Sequence, residues 1–231
     1  MDDRTTESYG RGRSRGGASY VFDHLREEIL SLQLAPGSVL SRLELQERFE
    51  LSSTPIRDAL MRLQEEGLVD IFPQHATVVS PINVDHARQA QFLRRSVELE
   101  LVNVLAQAPD AGLVEQLRSL IRQQTAFAEL REHEAFSRAD HAFHHQMYIA
   151  AKVGNLWHLI RRQSGHIDRL RRLNLPVEGK MREIIAAHTA IVDAIAGGSP
   201  QEAQEALRGH LSQSLGLINV LREKHPGYFK P

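Results

Sequence analysis

The chain has 231 residues, 42% hydrophobic and 25% charged, with a formal net charge of −1. Length and composition are those of an ordinary soluble protein of one or two domains. It holds no cysteine, which excludes disulfides and thiolate metal sites, and no apolar run near the ~20 residues of a membrane span or a signal-peptide core, so the expected location is the cytoplasm.

Residues 1–17, MDDRTTESYGRGRSRGG, carry no hydrophobic period and predict a disordered arm. Arg11, Arg13 and Arg15 in it either follow a DNA backbone or form a solvated tail. A helix is predicted over 18–33, with Val21, Leu25, Ile29 and Leu32 on its buried stripe. Leu34-Ala35-Pro36-Gly37 closes it as a turn. Ser41 can cap a short helix over 43–49, where Leu45 and Phe49 stand four apart.

The next stretch, LSSTPIRDALMRLQEEGL over 51–68, has a strong helix start. Thr54 can cap it with its hydroxyl, and Pro55 fits a first helical position, where no N–H is needed. Ile56, Leu60 and Leu63 form one apolar stripe, while Arg57, Asp58, Met61 and Arg62 fall off it. A helix anchored on one face, with arginine near its N-terminus on another, can lie in a DNA major groove. Gly67 ends the helix, and 68–72 and 76–79 read as strands around the turn Pro73-Gln74-His75. Helix, turn, helix and two-stranded wing predict a winged helix-turn-helix over 18–80. Residues 1–80 carry nine Lys and Arg against thirteen Asp and Glu, which argues mildly against a nucleic-acid partner. Arg42, Arg48, Arg57 and Arg62 nevertheless group around the predicted reading head, and phosphate binding depends on where cations sit.

The run SSTPIRDALMRLQEEGLV resembles the DNA-binding signature of the GntR family, and the upstream Leu34-Ala35-Pro36-Gly37 fits its L-x-P-G turn. Ser53 stands where many members carry a base-reading arginine, Leu43 where some carry another, and Ala76 in place of the usual wing glycine. The resemblance implies DNA contacts from Arg42, Ser52, Ser53, Thr54, Arg57 and the wing-tip His75.

Pro81-Ile82-Asn83 links the wing to the remainder of the chain. From Val84 onward the periodicity predicts helices over 84–107, 111–131, 132–152, 155–173, 178–196 and 200–223, broken at Pro109-Asp110, Gly154, Leu175-Pro176 and Gly197-Gly198-Ser199-Pro200. The expected fold is mainly α: a winged helix-turn-helix, then an all-α bundle domain over 84–224.

At about 100° per residue, Asp140 and His144 share one face of the third bundle helix with Phe136, Phe143 and Met147, whereas His141 and His145 point elsewhere. His188 shares the face of Ile184, Ile191, Val192 and Ile195, and His210 that of Ala203, Ala206, Leu217 and Leu221. A lone inward histidine is usually a hydrogen-bonded core residue. One carboxylate and three imidazoles turned inward on three helices are costly to bury unless paired or coordinated. The set suits a divalent first-row metal, zinc foremost, with nickel or manganese as alternatives.

D-x-x-F-H at 140–144, Gly154-Asn155, the helix bearing His188, Ile191, Ala194 and Ile195, and then Ala206, Arg208, His210 and Leu211 resemble the ligand-binding domain (FCD) of the FadR-type branch of that family. The resemblance implies a metal on Asp140, His144, His188 and His210. It also includes Arg94-x-x-x-Glu98, which reads either as an intrahelical ion pair or as an anchor for an effector carboxylate. His166, between Arg162 and Arg169 on a less apolar face, either lines an effector pocket or belongs to a charged surface.

The expected function is a metabolite-responsive transcription regulator. It binds operator DNA as a homodimer and is controlled by a small carboxylic or sugar acid near the metal. The alternatives are a metal-dependent hydrolase or lyase with an appended interaction domain, and a DNA-binding protein with a purely structural metal. The sequence has no HExxH motif, evident nucleophile or phosphate loop to favour the enzyme.

Overall fold

The computed structural model describes residues 6–73 and 75–230, with the side chains of 6–15 and 214 outside that description. The described residues form two units: the chain up to Asn83 together with the segment from His225, and Val84–Lys224.

The first unit opens with α1, Thr6–Leu30. The sequence predicts a disordered arm to 17 and a helix from 18; the helix instead begins at Thr6. Gly17 and Ala18 are packed: a Cβ on Gly17 would stand 3.2 Å from the Leu51 methyls, and Ala18 is buried. A packed turn serves as a nucleus, from which adding a residue is far easier than starting a helix. Residues 1–5 and the side chains of Arg11, Arg13 and Arg15 lie outside the described residues. Val21, Leu25 and Ile29 are fully buried, as their spacing requires. Leu32 is not helical: it sits at φ 65° in the turn after the helix.

Helix α2, Arg42–Phe49, is capped by Ser41, whose Oγ accepts from Glu44 N at 3.3 Å. Helix α3 spans Ser53–Glu65 with Ser52 at its N-cap, so Thr54 and Pro55 lie inside the first turn rather than at the cap and first position. The proline is tolerated because the first four N–H groups of a helix have no intrahelical acceptor. Ile56, Leu60 and Leu63 are fully buried against the α1 stripe, and Arg57 stands on the opposite, exposed face. The wing is β1, Val69–Ile71, antiparallel to β2, Thr77–Val79, with Val69 opposite Val79. Val39 adds a bridge to Val78, flanked by Leu40 N to Thr77 O at 2.7 Å and Val79 N to Ser38 O at 2.9 Å. The C-terminal segment returns to this unit: Ile82 N donates to Tyr228 O at 2.7 Å and Lys230 N to Ile82 O at 3.0 Å, with Ile82 and Phe229 both buried.

The second unit is all helix: α4 Val84–Gln107, α5 Ala111–Glu129, α6 His133–Ala150, α7 Gly154–Gln163, α8 Gly165–Asn174, α9 Lys180–Ala196, α10 Pro200–Ser212 and α11 Ile218–Lys224. Two predicted helices are each divided. The one over 155–173 breaks at Ser164, whose hydroxyl bonds back to Ile160 O at 2.8 Å, with Gly165 next. Back-bonding of this kind bends helices. The one over 200–223 breaks through a 3₁₀ turn, Gln213–Leu215, followed by Gly216, so Leu217 and Leu221 do not share a helix with His210. The apolar core joins Val102 and Leu105 of α4, Leu117 and Ile121 of α5, Phe143 and Met147 of α6, Ile191 and Ile195 of α9, and Leu207 of α10.

Candidate metal centre

Asp140 and His144 lie one turn apart on α6, His188 on α9 and His210 on α10, all buried in the bundle. Phe143 stacks on the His188 ring at a centroid distance of 4.0 Å. The Nε2 atoms of His188 and His210 are 3.3 Å apart, as are those of His210 and His144, and Asp140 Oδ1 lies 3.7 Å from His188 Nε2. One donor atom from each of the four residues lies within 4.8 Å of every other.

The outer nitrogens explain why the Nε2 atoms carry lone pairs. His188 Nδ1 is 2.8 Å from Gln124 Oε1, an oxygen that can only accept, so the proton belongs on Nδ1. Glu98 Oε2 lies 3.0 Å from His144 Nδ1 and favours the proton there. His188 and His144 then both turn unprotonated Nε2 atoms toward His210, whose single Nε2 proton could satisfy only one of them. A cation among the three satisfies all. Asp140 adds to this: Arg171 holds its Oδ2 at 2.6 Å, while Oδ1 is buried without a hydrogen-bond partner. A tetrahedral site with bonds of ~2.1 Å has donor separations of ~3.4 Å, close to those between the imidazoles. The residues therefore fit a divalent first-row metal through three nitrogens and one oxygen.

Electrostatics agree. Burial, with the neighbouring His144, Arg171 and Arg94, outweighs the pull of Asp140 and pushes His188 down to about 3. Burial also lowers His144 and, with the adjacent imidazoles, takes His210 well below its ordinary value. All three are thus neutral near pH 7, the form that binds metal. For Asp140, burial pushes the pKa up, but Arg171, His144 and His188 overcome it and hold the carboxyl ionised. Glu98 is held to about 2 because Arg94 and His144 outweigh its burial.

The effector residues inferred from sequence, Arg94 and His166, are both buried. Arg94 Nε donates to Glu98 Oε1 at 2.7 Å. Its charge acts on His144 and His188, so it belongs to the neighbourhood of the four donors. His166 packs against His86, at a centroid distance of 4.8 Å, with Arg169 Nη2 2.8 Å from its Nδ1. Of its two flanking arginines, Arg169 is fully buried and Arg162 is exposed. His141 and His145 leave the donor set, as their facing predicts: His141 lies beside Arg161 and Asp168, and His145 stacks on Trp157.

Gln124 and Arg171 escaped the sequence reading. Gln124 carried a signal, being a polar residue in register with Leu117 and Ile121 on the apolar stripe of α5. Arg171 carried none, because Arg169 and Arg172 crowd the same short helix. In the first unit, Arg42, Ser52, Ser53, Thr54, Arg57 and His75 are all exposed. Gln74 beside His75 lies outside the described residues. Of the predicted basic group, Arg48 is held by Glu28, while Arg62 bonds Ser19 Oγ at 3.2 Å and lies over the Phe22 ring. Arg42 is exposed on α2, and Arg57, exposed on α3, lies 3.6 Å from Asp58.

A winged helix-turn-helix joined to an all-helical unit with a buried Asp-His-His-His set defines a transcription regulator of the two-domain type. The sequence model for "Bacterial regulatory proteins, gntR family" matches residues 18–79, and that for the FCD domain matches 89–213. The chain belongs to the GntR family and carries an FCD domain. It is 36% identical over 210 residues to an HTH-type transcriptional regulator in an unstable DNA locus of Streptomyces ambofaciens, covering 90% of this chain and 88% of that one. It is 25% identical over 209 residues to the HTH-type transcriptional repressor RspR of Escherichia coli K12, covering 90% and 92%. Among solved structures, E. coli McbR/YncC shares the fold, with a TM-score of 0.74 at 19% identity over 90% of this chain and 98% of that one. A putative GntR regulator from Rhodococcus sp. RHA1 does so with a TM-score of 0.70 at 20% identity, over 88% and 97%. These relatives are regulators, not enzymes, and the hydrolase or lyase alternative falls away with them.

Proposed function

We propose that this regulator binds double-stranded operator DNA as a homodimer through α3, and that a small carboxylic or sugar acid bound beside a metal in the helical unit controls that binding. The observation that carries the reading is the convergence of Asp140, His144, His188 and His210, with lone pairs turned toward one point, in a chain that also bears an exposed winged helix. The metal is divalent, zinc foremost. Bound there, it would cross-link α6, α9 and α10 and offer an acid carboxylate a Lewis-acidic partner. Arg94, Arg57, Arg42, Ser52, Ser53, Thr54 and His75 keep the roles inferred from the sequence. His166 would line the pocket together with Arg169. Among the described residues no helix is long and apolar enough to cross a membrane, which suits a cytoplasmic site of action.

The test is a binding screen against the DNA upstream of the chain's own gene, run with and without a panel of carboxylic and sugar acids. Saturable operator binding altered by one acid supports the proposal. Operator binding indifferent to every acid, with metal retained, would favour a purely structural metal.

A further inference from the structure

Helix α3 turns one large apolar side chain outward. At about 100° per residue, the fully buried Ile56, Ala59, Leu60 and Leu63 occupy one side of the helix, and Thr54, Met61 and Arg57 fall in that order within about 60° of one another on the outer side. Glu65 continues the row one turn beyond Met61, Gln64 stands at its edge, and Asp58 lies 3.6 Å from Arg57. Met61 is 49% exposed and outside the apolar core of this unit. A single exposed methionine is ordinary on a protein surface. The position of this one, between Thr54 and Arg57 on the outer side of α3, gives it a partner.

The outer side is the one that the proposed function turns toward a major groove. There each base pair offers its own pattern, and the one apolar group in that pattern is the 5-methyl of thymine. The polar neighbours of Met61 suit other features: a guanidinium pairs with guanine O6 and N7, an amide with adenine, a carboxylate with the cytosine amine, and a hydroxyl with several. A thioether is at most a weak acceptor, so an apolar contact is what Met61 can make. Its unbranched, flexible chain adapts to such a contact.

From this placement, and resting on the operator binding proposed above, we infer that Met61 is a specificity residue that reads thymine, its side chain seated against the 5-methyl group in the major groove. Arg57 and Met61, one turn apart, then read neighbouring positions by different means, one through hydrogen bonds and the other through exclusion of water from a methyl.

The experiment uses the full zinc-loaded chain and a duplex from the DNA upstream of its own gene, narrowed by footprinting to the protected site. Duplexes in which one thymine at a time is replaced by deoxyuridine keep every base pair and lose one methyl. Fluorescence anisotropy at fixed salt measures each affinity. For the wild type, at least one replacement should weaken binding about fourfold, the worth of one buried methyl group. Met61→Ala should melt with the wild type, since its side chain lies outside the core, and should bind the thymine and uracil duplexes alike at that position. Penalties at other positions should stay as they are. Met61→Leu keeps an apolar side chain and should keep most of the penalty, which a general weakening of the unit would not reproduce. A wild type indifferent to every replacement, or a penalty undiminished in Met61→Ala, overturns the thymine assignment alone. A wild type that binds no upstream duplex more tightly than an unrelated one of equal length overturns it together with the operator reading beneath it.

Discussion

The metal-ligating character of His188 depends on an amide. Gln124 Oε1 can only accept, so it fixes the proton on Nδ1 and leaves Nε2 free. Gln124→Leu should weaken zinc affinity by 10–100-fold, a size typical of outer partners of metal ligands, and Gln124→Glu, which keeps the acceptor, should restore most of it. Competition with a chromophoric chelator measures both; equal affinities in the leucine and wild-type proteins would show that the amide does not set the tautomer. On the DNA side the corresponding residue is Arg57, exposed near the start of α3 beside Asp58. Arg57→Ala should leave the melting temperature unchanged and weaken operator binding by about 1–3 kcal/mol if its guanidinium reads a base. Unchanged affinity at fixed salt would remove it from the interface. The four donors were legible in the sequence because each shares a helical face with apolar residues. Gln124 was legible in the same way, as a polar residue on such a face, but an amide does not announce a metal. Arg171 was not legible, since its role depends on a partner 31 positions away.

Helix boundaries were legible where a cap or breaker acts locally and illegible where packing decides. Ser41 and Asp110 cap α2 and α5 as their residue types allow, each accepting an N–H three residues on. The extension of α1 back to Thr6 and the break at Ser164 follow from a turn packed at Gly17 and Ala18 and from a side chain's choice of acceptor, which no period reveals. What the helices gain from the ion can be measured. An ion on α6, α9 and α10 should stabilise the helical unit by about 2.7 kcal/mol at a hundredfold excess over Kd. Without the ion, pH takes over. The three histidines are depressed below their ordinary 6.5, His188 to about 3, so the folded state stays neutral while the unfolded chain takes up protons. Stability of the metal-free protein should therefore be full above about pH 6.5 and fall with acidification, by up to about 1.4 kcal/mol per pH unit for each histidine. Thermal melts of chelator-treated protein from pH 7.5 to 5 check this; a melting temperature that is flat or rises on acidification would show that the rings are not held neutral.

The chain crosses between its two units twice, once after Asn83 and again before His225, because the C-terminal segment pairs with Ile82 of the first unit. Nothing in the composition of HPGYFK announces that return: the pairing uses backbone groups, and only Phe229 contributes a buried side chain. The two-domain plan itself was legible, because a helix-and-wing pattern ends at Ser80 and an unbroken series of amphipathic helices begins at Val84. The central claim is that one metal on Asp140, His144, His188 and His210 links acid binding in the helical unit to DNA binding in the other. The direct measurement is operator affinity with and without the acid that shifts it in the wild type, on zinc-loaded protein, on chelator-stripped protein and on His188→Ala, each with its zinc content determined and with His145→Ala as a control on the same helix as His144. The account predicts about one zinc and a full acid response in the wild type and in His145→Ala, and neither in the stripped protein or His188→Ala, with most acid-free operator binding retained throughout. A full acid response in protein shown to hold no metal, or a full equivalent of zinc in His188→Ala, would contradict it.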